Sequence, residues 1–187
     1  LRRRGTRFVG PNEGDMACGE YGFGRMAEPE QILAAIAAHF AAAGRLAGRR
    51  ALVTSGPTFE PLDPVRFLGN RSSGRQGHAV AEALAAAGAE TTLVTGPVSL
   101  DPPVGVETVP VQTCREMAGA MLSKMDGADI IIQVAAVADF RPDRQENLKI
   151  KKRSDQDGMT LTLVQNPDIL RAMGERKRPD QFLVGFA

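Results

Sequence analysis

The stretch that decides the fold is ALVTSG (Ala51–Gly56), followed by VRFLGNRSSGRQG (Val65–Gly77) and HAVAEALAAAGA (His78–Ala89). The first piece is a short apolar run bounded by polar turn residues, which reads as a strand. The last is an Ala-rich helical pattern closed by Gly88, a good residue for a helix C-terminus. Between them lies a long loop rich in glycine, serine and arginine. Glycines let backbone N–H groups approach an anion, and the helix that follows presents its positive end. The loop therefore predicts an anion site, with Arg66, Asn70, Ser72, Ser73 and Arg75 as its polar side chains.

Working outward, strands and helices alternate. We read strands at Ala51–Ser55, Glu90–Thr95, Val106–Val109 and Ile130–Val134, and a last one at Phe182–Phe186. Helices are expected at Gln76–Ala87 and Cys114–Met125, with the loop occupying Gly56–Arg75. Ile130–Val134 is almost continuously apolar, as strands of a parallel sheet buried on both faces are. This order predicts an α/β protein with a Rossmann-like, doubly wound, mostly parallel sheet. NLKIKKRSDQDGMTLTLVQ (Asn147–Gln165) alternates with period two instead. It reads as an inserted hairpin closed around Asp157-Gly158, serving as a lid or an oligomer contact. NPDILRAM then starts a helix, with Asn166 as N-cap and Pro167 at the first helical position.

Residues 1–27 are expected to be irregular, with a glycine every few positions, and PEQILAAIAAHFAAA (Pro29–Ala43) to form one helix. GRLAGRR reads as a linker. Three units follow: 1–43, a linker at 44–49, and the α/β domain from 50 to 187. QILAAIAAHF, Met16 and Met26 are expected to pack, and His39 and His78 carry no ligand pattern. The chain starts without Met and stops within FLVGFA, and we expect a piece of a longer protein.

Composition narrows the class. The 187 residues are 43% hydrophobic and 24% charged, with a net charge of +1, which does not suit a protein selected for bulk basicity and nucleic-acid binding. Two cysteines, Cys18 and Cys114, make no disulfide framework and fit a reducing cytoplasm. No apolar run approaches membrane-spanning length.

In open α/β sheets ligands sit beyond the carboxyl ends of the strands. Three segments are predicted there: the anion loop, AAVADF (Ala135–Phe140) and NPDI (Asn166–Ile169). Ala135 and Ala136 are small enough for a ligand to lie against the backbone. Asp139 is a strand-end cap, a ribose acceptor or a Mg²⁺ ligand. GNRSSGRQ has the glycine spacing of a P-loop, but Arg75-Gln76 stand where Lys-Ser/Thr is required. G-x-G-x-x-G is absent, and the one tyrosine, Tyr21, cannot serve a Tyr-x-x-x-Lys dehydrogenase pair. The residues alone thus indicate an anion- or nucleotide-binding α/β domain.

SGPTFEPLDPVRFLGNRSSGRQG, AAVADFRP, KIKK and NPDIL, in this order, resemble the phosphopantothenoylcysteine synthetase half of the bifunctional coenzyme A biosynthesis flavoproteins. The resemblance covers residues 50–187. GDMACGEYGFGRMAEPEQI resembles the tail of the preceding decarboxylase half. It implies CTP-dependent ligation of 4′-phosphopantothenate to L-cysteine through an acyl-cytidylate, with Mg²⁺. FMN would belong only to the decarboxylase body, which is absent from this sequence.

The resemblance also assigns residues. Nucleotide contacts fall on Gln133, Val134, Ala135, Asp139, Lys149, Pro167, Asp168, Ile169, Leu170 and Phe186. Asn70 matches the asparagine tied to acyl-cytidylate turnover, and Lys149 the functional lysine. Arg66 is expected to hold substrate phosphate, in its own site or a partner subunit's. Cys18 matches the decarboxylase proton donor. A homodimer, small-molecule substrates, no nucleic acid and no membrane are implied. An ATP-dependent version of the ligase and a non-catalytic nucleotide-binding module remain the alternatives.

Overall fold

The computed structural model describes residues 8–15, 21–42, 44–152 and 158–186. In chain order it contains β1 (Asn12–Asp15), β2 (Tyr21–Arg25), α1 (Pro29–Ala42), β3 (Arg50–Ser55), β4 (Phe59–Pro61), β5 (Phe67–Gly69) and α2 (Arg75–Ala86). Then follow β6 (Glu90–Thr95), β7 (Val106–Pro110), α3 (Cys114–Lys124), a single 3₁₀ turn at Met125–Gly127, β8 (Ile130–Gln133), β9 (Phe140–Pro142), β10 (Leu163–Gln165), α4 (Ile169–Arg176) and β11 (Phe182–Gly185).

Five strands form one sheet in the order β11-β8-β3-β6-β7. Every pairing in it is parallel. The chain starts at the central strand, builds one edge, then crosses to the other side. The reversal of direction falls between β3 and β8, which is where such sheets open a crevice for ligands.

Side chains alternate across each strand, so neighbours in sequence serve opposite faces. Leu52, Val94 and Ile131 pack on one face with Met117, Met121 and Met125 of the α3 segment and Met173 of α4. The methionines recur at helical spacing, and their unbranched side chains fill irregular gaps. Val53 and Leu93 face the other way, against Ala81 of α2, with Ile132 partly buried beside them. Two helical layers thus enclose the sheet, as the doubly wound reading predicts.

Each predicted strand and helix of this core is present within a few residues. The exceptions lie outside it. Residues 12–15 and 21–25 form an antiparallel pair rather than irregular chain, with Gly14 opposite Gly22. Glycine is a poor strand former, so its density hid the pairing. Met26 is 74% exposed, and Leu33 and Ile36 of α1 are 67% and 48% exposed, so these residues do not pack as expected. Apolar periodicity records what a helix can bury, not whether a surface is there to bury it. Met16 and Cys18 lie outside the described residues.

The inserted antiparallel pair exists but is displaced. Phe140–Pro142 pairs with Leu163–Gln165. Leu148–Lys151 is not a strand, because the backbone of Ile150 is bonded to side chains from another loop instead of to a ladder. The proposed turn at Asp157 falls outside the described residues. Asp168, not Asn166, caps α4, its carboxylate accepting from Arg171 N at 2.9 Å. Asn166 is used elsewhere, as described below. The linker residue Leu46 donates its amide to the Ala87 carbonyl at 2.9 Å, which seats that segment on the α2–β6 turn.

Candidate functional site

The Gly-rich loop ends at the first turn of α2. Gly74 has φ +76°, which favours glycine, and turns the chain into the helix. Gly77 lies directly on β3: a Cβ there would sit 2.5 Å from Ser55 Cβ and Oγ and 2.8 Å from the Thr54 carbonyl. Only glycine permits α2 to pack this close, which brings its N-terminus to the sheet edge. Ser55 Oγ donates to the Gly74 carbonyl at 2.8 Å, and His78 Nδ1 lies 2.9 Å from Ser55 Oγ. His78 therefore pins the helix start. The result is a cavity of about 250 Å³ walled by Gly56, Arg71–Gly77 and Val134. It has the backbone amides and positive helix end that an anion needs.

Past the ends of β3 and β8 the two chains continue side by side. Ala136 N donates to the Gly56 carbonyl at 2.9 Å. Thr54 Oγ1 accepts from Val134 N and Ala135 N at 3.0 and 3.1 Å, and Thr58 Oγ1 accepts from Ala138 N at 2.9 Å. These hydroxyls satisfy amides that no strand partner reaches, so the small-residue segment keeps one shape. Asn70 Nδ2 donates to the Ala136 and Val137 carbonyls at 3.2 and 3.1 Å. The anion loop and AAVADF are thereby joined at the crevice.

NPDI arrives from the other side. Asn166 Nδ2 donates to the Ala138 carbonyl and its amide to the Asp139 carbonyl, both at 2.8 Å. Leu170 packs on Gly185, where a Cβ would meet its Cδ2 at 2.3 Å. Phe186 N donates to the Gln133 carbonyl at 3.0 Å. Gln133–Ala135, Asp139, Pro167–Leu170 and Phe186 thus share the carboxyl edge of β8 and β11. The side chain of Asp139 is exposed there.

Lys149 lines a different cavity, about 530 Å³, with Leu62, Pro142, Arg144 and Met159 among its walls. Arg66 does not stand free in the loop. Its Nε and Nη2 donate to Asp63 Oδ2 at 3.0 and 2.5 Å, and Nη2 also reaches the Ile150 carbonyl at 2.7 Å. Arg66 holds the Asp63 carboxyl well below the usual carboxylate range; burial opposes this, and the amides of Ile150, Val65 and Arg66 add to it.

Glu60 is buried and accepts from Cys114 N at 2.8 Å, which satisfies an open amide at the start of α3. Burial pushes the Cys114 thiol up to about 11, with the Glu60 carboxylate adding to the shift. A thiol in that state is no nucleophile. Thr54, Thr58, Glu60, Asp63 and Ser55 were not singled out by sequence. The available signal was polar residues punctuating an otherwise apolar and proline-bearing run, VTSGPTFEPLDP.

A cavity of about 720 Å³ lies at the ends of β6 and β7, with Pro97, Val98, Leu100 and Pro110 in its walls. Its lining is mainly apolar, and none of the predicted nucleotide contacts lines it. No cluster of three or more metal-binding side chains occurs among the described residues, and no helix among them is long and apolar enough to cross a membrane.

The sequence pattern of the DNA/pantothenate metabolism flavoprotein C-terminal domain matches residues 46–187. Over its full length the chain is 47% identical to the Bacillus subtilis coenzyme A biosynthesis bifunctional protein CoaBC and 44% identical to the Escherichia coli protein of that name. It spans about half of these relatives, 46% in each case. A solved C-terminal domain of a CoaBC protein superposes with a TM-score of 0.66 at 42% identity, covering 76% of this chain and 65% of that one. A DNA/pantothenate metabolism flavoprotein from Streptococcus pneumoniae gives 0.65 at 26% identity, over 74% and 69%.

Proposed function

Because the chain belongs to the DNA/pantothenate metabolism flavoprotein C-terminal domain family, we propose that it carries the ligase step of coenzyme A biosynthesis, joining 4′-phosphopantothenate to L-cysteine at the expense of CTP. The observation that carries this reading is that Asn70 ties its loop to Ala136 and Val137 beyond β3 and β8, while Asn166, at the head of the Pro167–Leu170 turn, ties to Ala138 and Asp139 of the same segment. In it, the substrate carboxylate attacks the α-phosphorus of CTP, and pyrophosphate leaves with the electrons of the broken P–O bond. The cysteine amine then attacks the acyl-cytidylate carbonyl. The amide forms, one amine proton is lost, and CMP departs.

That chemistry gathers negative charge, so its catalyst must hold phosphates in place and offset charge as leaving groups depart. The loop needs no P-loop lysine, since no γ-phosphoryl group moves. Gln133–Ala135, Pro167–Leu170 and Phe186 are assigned to the nucleotide, and Asp139 to its ribose or to Mg²⁺. Asn70 is assigned to turnover of the intermediate, Lys149 to the reacting phosphate and Arg66 to substrate phosphate. Mg²⁺, when bound, would neutralise the triphosphate. A single exposed carboxylate suits an ion held mainly by phosphates and water. In the parent protein, Cys18 is assigned to the decarboxylase, whose FMN belongs to a body outside this sequence. Phe67 and Phe140, both about half exposed, give apolar surface suited to the expected homodimer.

The test is pyrophosphate release by the full-length protein from CTP, required to depend on 4′-phosphopantothenate, with product appearing on addition of cysteine. Preference for ATP in competition would select the ATP-dependent version. Binding of CTP without pyrophosphate release would select a non-catalytic module.

A further inference from the structure

Asp63 is enclosed more completely than a loop carboxylate ordinarily is: none of its side chain is exposed. Its Oδ1 accepts from Val65 N and Arg66 N, both at 2.8 Å. Its Oδ2 takes the Arg66 guanidinium and, at 3.0 Å, Ile150 N. The last contact spans 87 positions of sequence and belongs to no secondary structure. Arg66 completes the loop by reaching back to the Ile150 carbonyl at 2.7 Å. Ile150 is thus held at both its N–H and its carbonyl by one ion pair. Upstream, Glu146 N donates to the Leu62 carbonyl at 2.9 Å, fastening the other end of the segment.

Lys149 lies between these fastenings. An extended segment outside any ladder has no geometry of its own to place a lysine, so the clamp supplies it. The same loop joins β4 to β5, and Asn70 follows directly on β5. One enclosed carboxylate therefore ties the lysine segment to the hairpin that carries Asn70. We propose that Asp63 is a positioning residue for the ligation: it acts through Lys149 by holding Ile150, directly and through Arg66. This role rests on the ligase reading above.

The test uses the full-length protein with Asp63→Asn, Lys149→Gln and the double variant. Asparagine keeps one acceptor but turns an amide against Arg66. Misplacing a group by about 1 Å can cost on the order of 10²-fold in rate, so kcat for Asp63→Asn should fall about 10- to 100-fold, with KM for CTP little changed. Since the loss passes through Lys149, the double variant should be no slower than Lys149→Gln alone. The Ile150 amide should exchange with solvent about tenfold or more faster in Asp63→Asn, a readout independent of activity.

If Asp63→Asn does not fold, Arg66→Lys, which loses the two-donor fork to Asp63 Oδ2 and the Nη2 contact with the Ile150 carbonyl, is read in its place by exchange at Ile150. Losses that add in the double variant, or unchanged exchange at Ile150, overturn the role. Absence of product from the wild-type protein would sink the ligase reading and this role together. Product from the wild type with additive losses sinks the role alone.

Discussion

Replacing Asn70 by aspartate perturbs the proposed site at one atom. The Nδ2 group donates to the Ala136 and Val137 carbonyls at 3.2 and 3.1 Å. Aspartate keeps the shape but offers only acceptors at that position. Each lost bond is worth about 0.5–1.5 kcal/mol, so the pair costs about 1–3 kcal/mol. The side chain is exposed, and water relieves part of the repulsion between the new carboxylate and the two carbonyls. At roughly 2–4 °C per kcal/mol for a chain of this size, Tm should fall by about 2–12 °C. Chemistry should suffer far more. The braced Ala135–Val137 segment loses its tie, and a negative charge enters a crevice proposed to hold phosphates. CTP should still bind and acyl-cytidylate should still form, while its conversion to product slows on the order of 10²–10³-fold. The assay is a rapid-quench time course of intermediate and product in the full-length protein, with a melt of each variant. Asn70→Ala is the control, removing the bonds without adding charge. Product at the wild-type rate from Asn70→Asp would refute the reasoning and return Asn70 to a turn residue.

Lys149→Gln should fold normally and cripple product formation, with Lys151→Gln milder; equal small effects in a kinetic comparison would mark both as solvated surface. Gly77→Ala should cost about 1–3 kcal/mol in denaturant unfolding, because its Cβ would overlap Ser55 at 2.5 Å; an unchanged midpoint would mean α2 does not sit on β3 as described. Glu60→Ala, which strips the acceptor from Cys114 N, should cost about 2–3 kcal/mol by the same measurement. Cys114 should resist thiol reagents in the native protein at pH 8, since burial holds its pKa near 11. The folded state keeps that proton longer than the unfolded chain does. Stability should therefore be lost as pH rises from the ordinary thiol value towards about 11, and the loss should disappear in Cys114→Ala. Rapid modification at pH 8 would contradict the burial.

The parallel core was legible because its signals are local. A strand such as Ile130–Gln133 is apolar on both faces, and helix starts and stops carry their own residues, as Gly88 does after α2. The order of such elements restricts the topology to a doubly wound sheet, and motif order along the chain suffices to state the family resemblance. The segments of the proposed crevice were likewise foreseeable, since each follows the carboxyl end of a strand or opens a late helix.

What only the tertiary structure decided are the contacts between residues far apart in sequence. Alternation in NLKIKK predicts a strand, yet Ile150 is claimed by Asp63 and Arg66, 87 and 84 positions away. Asn166 has the chemistry of an N-cap, but the Ala138 carbonyl lies within its reach and Asp168 takes the cap. Arg66 reads as a free cation in an anion loop until Asp63 is found beside it. Local pattern states what a backbone segment prefers. A buried donor or acceptor must be satisfied by whatever the fold brings near, and that demand outweighs a preference of a few tenths of a kcal/mol per residue.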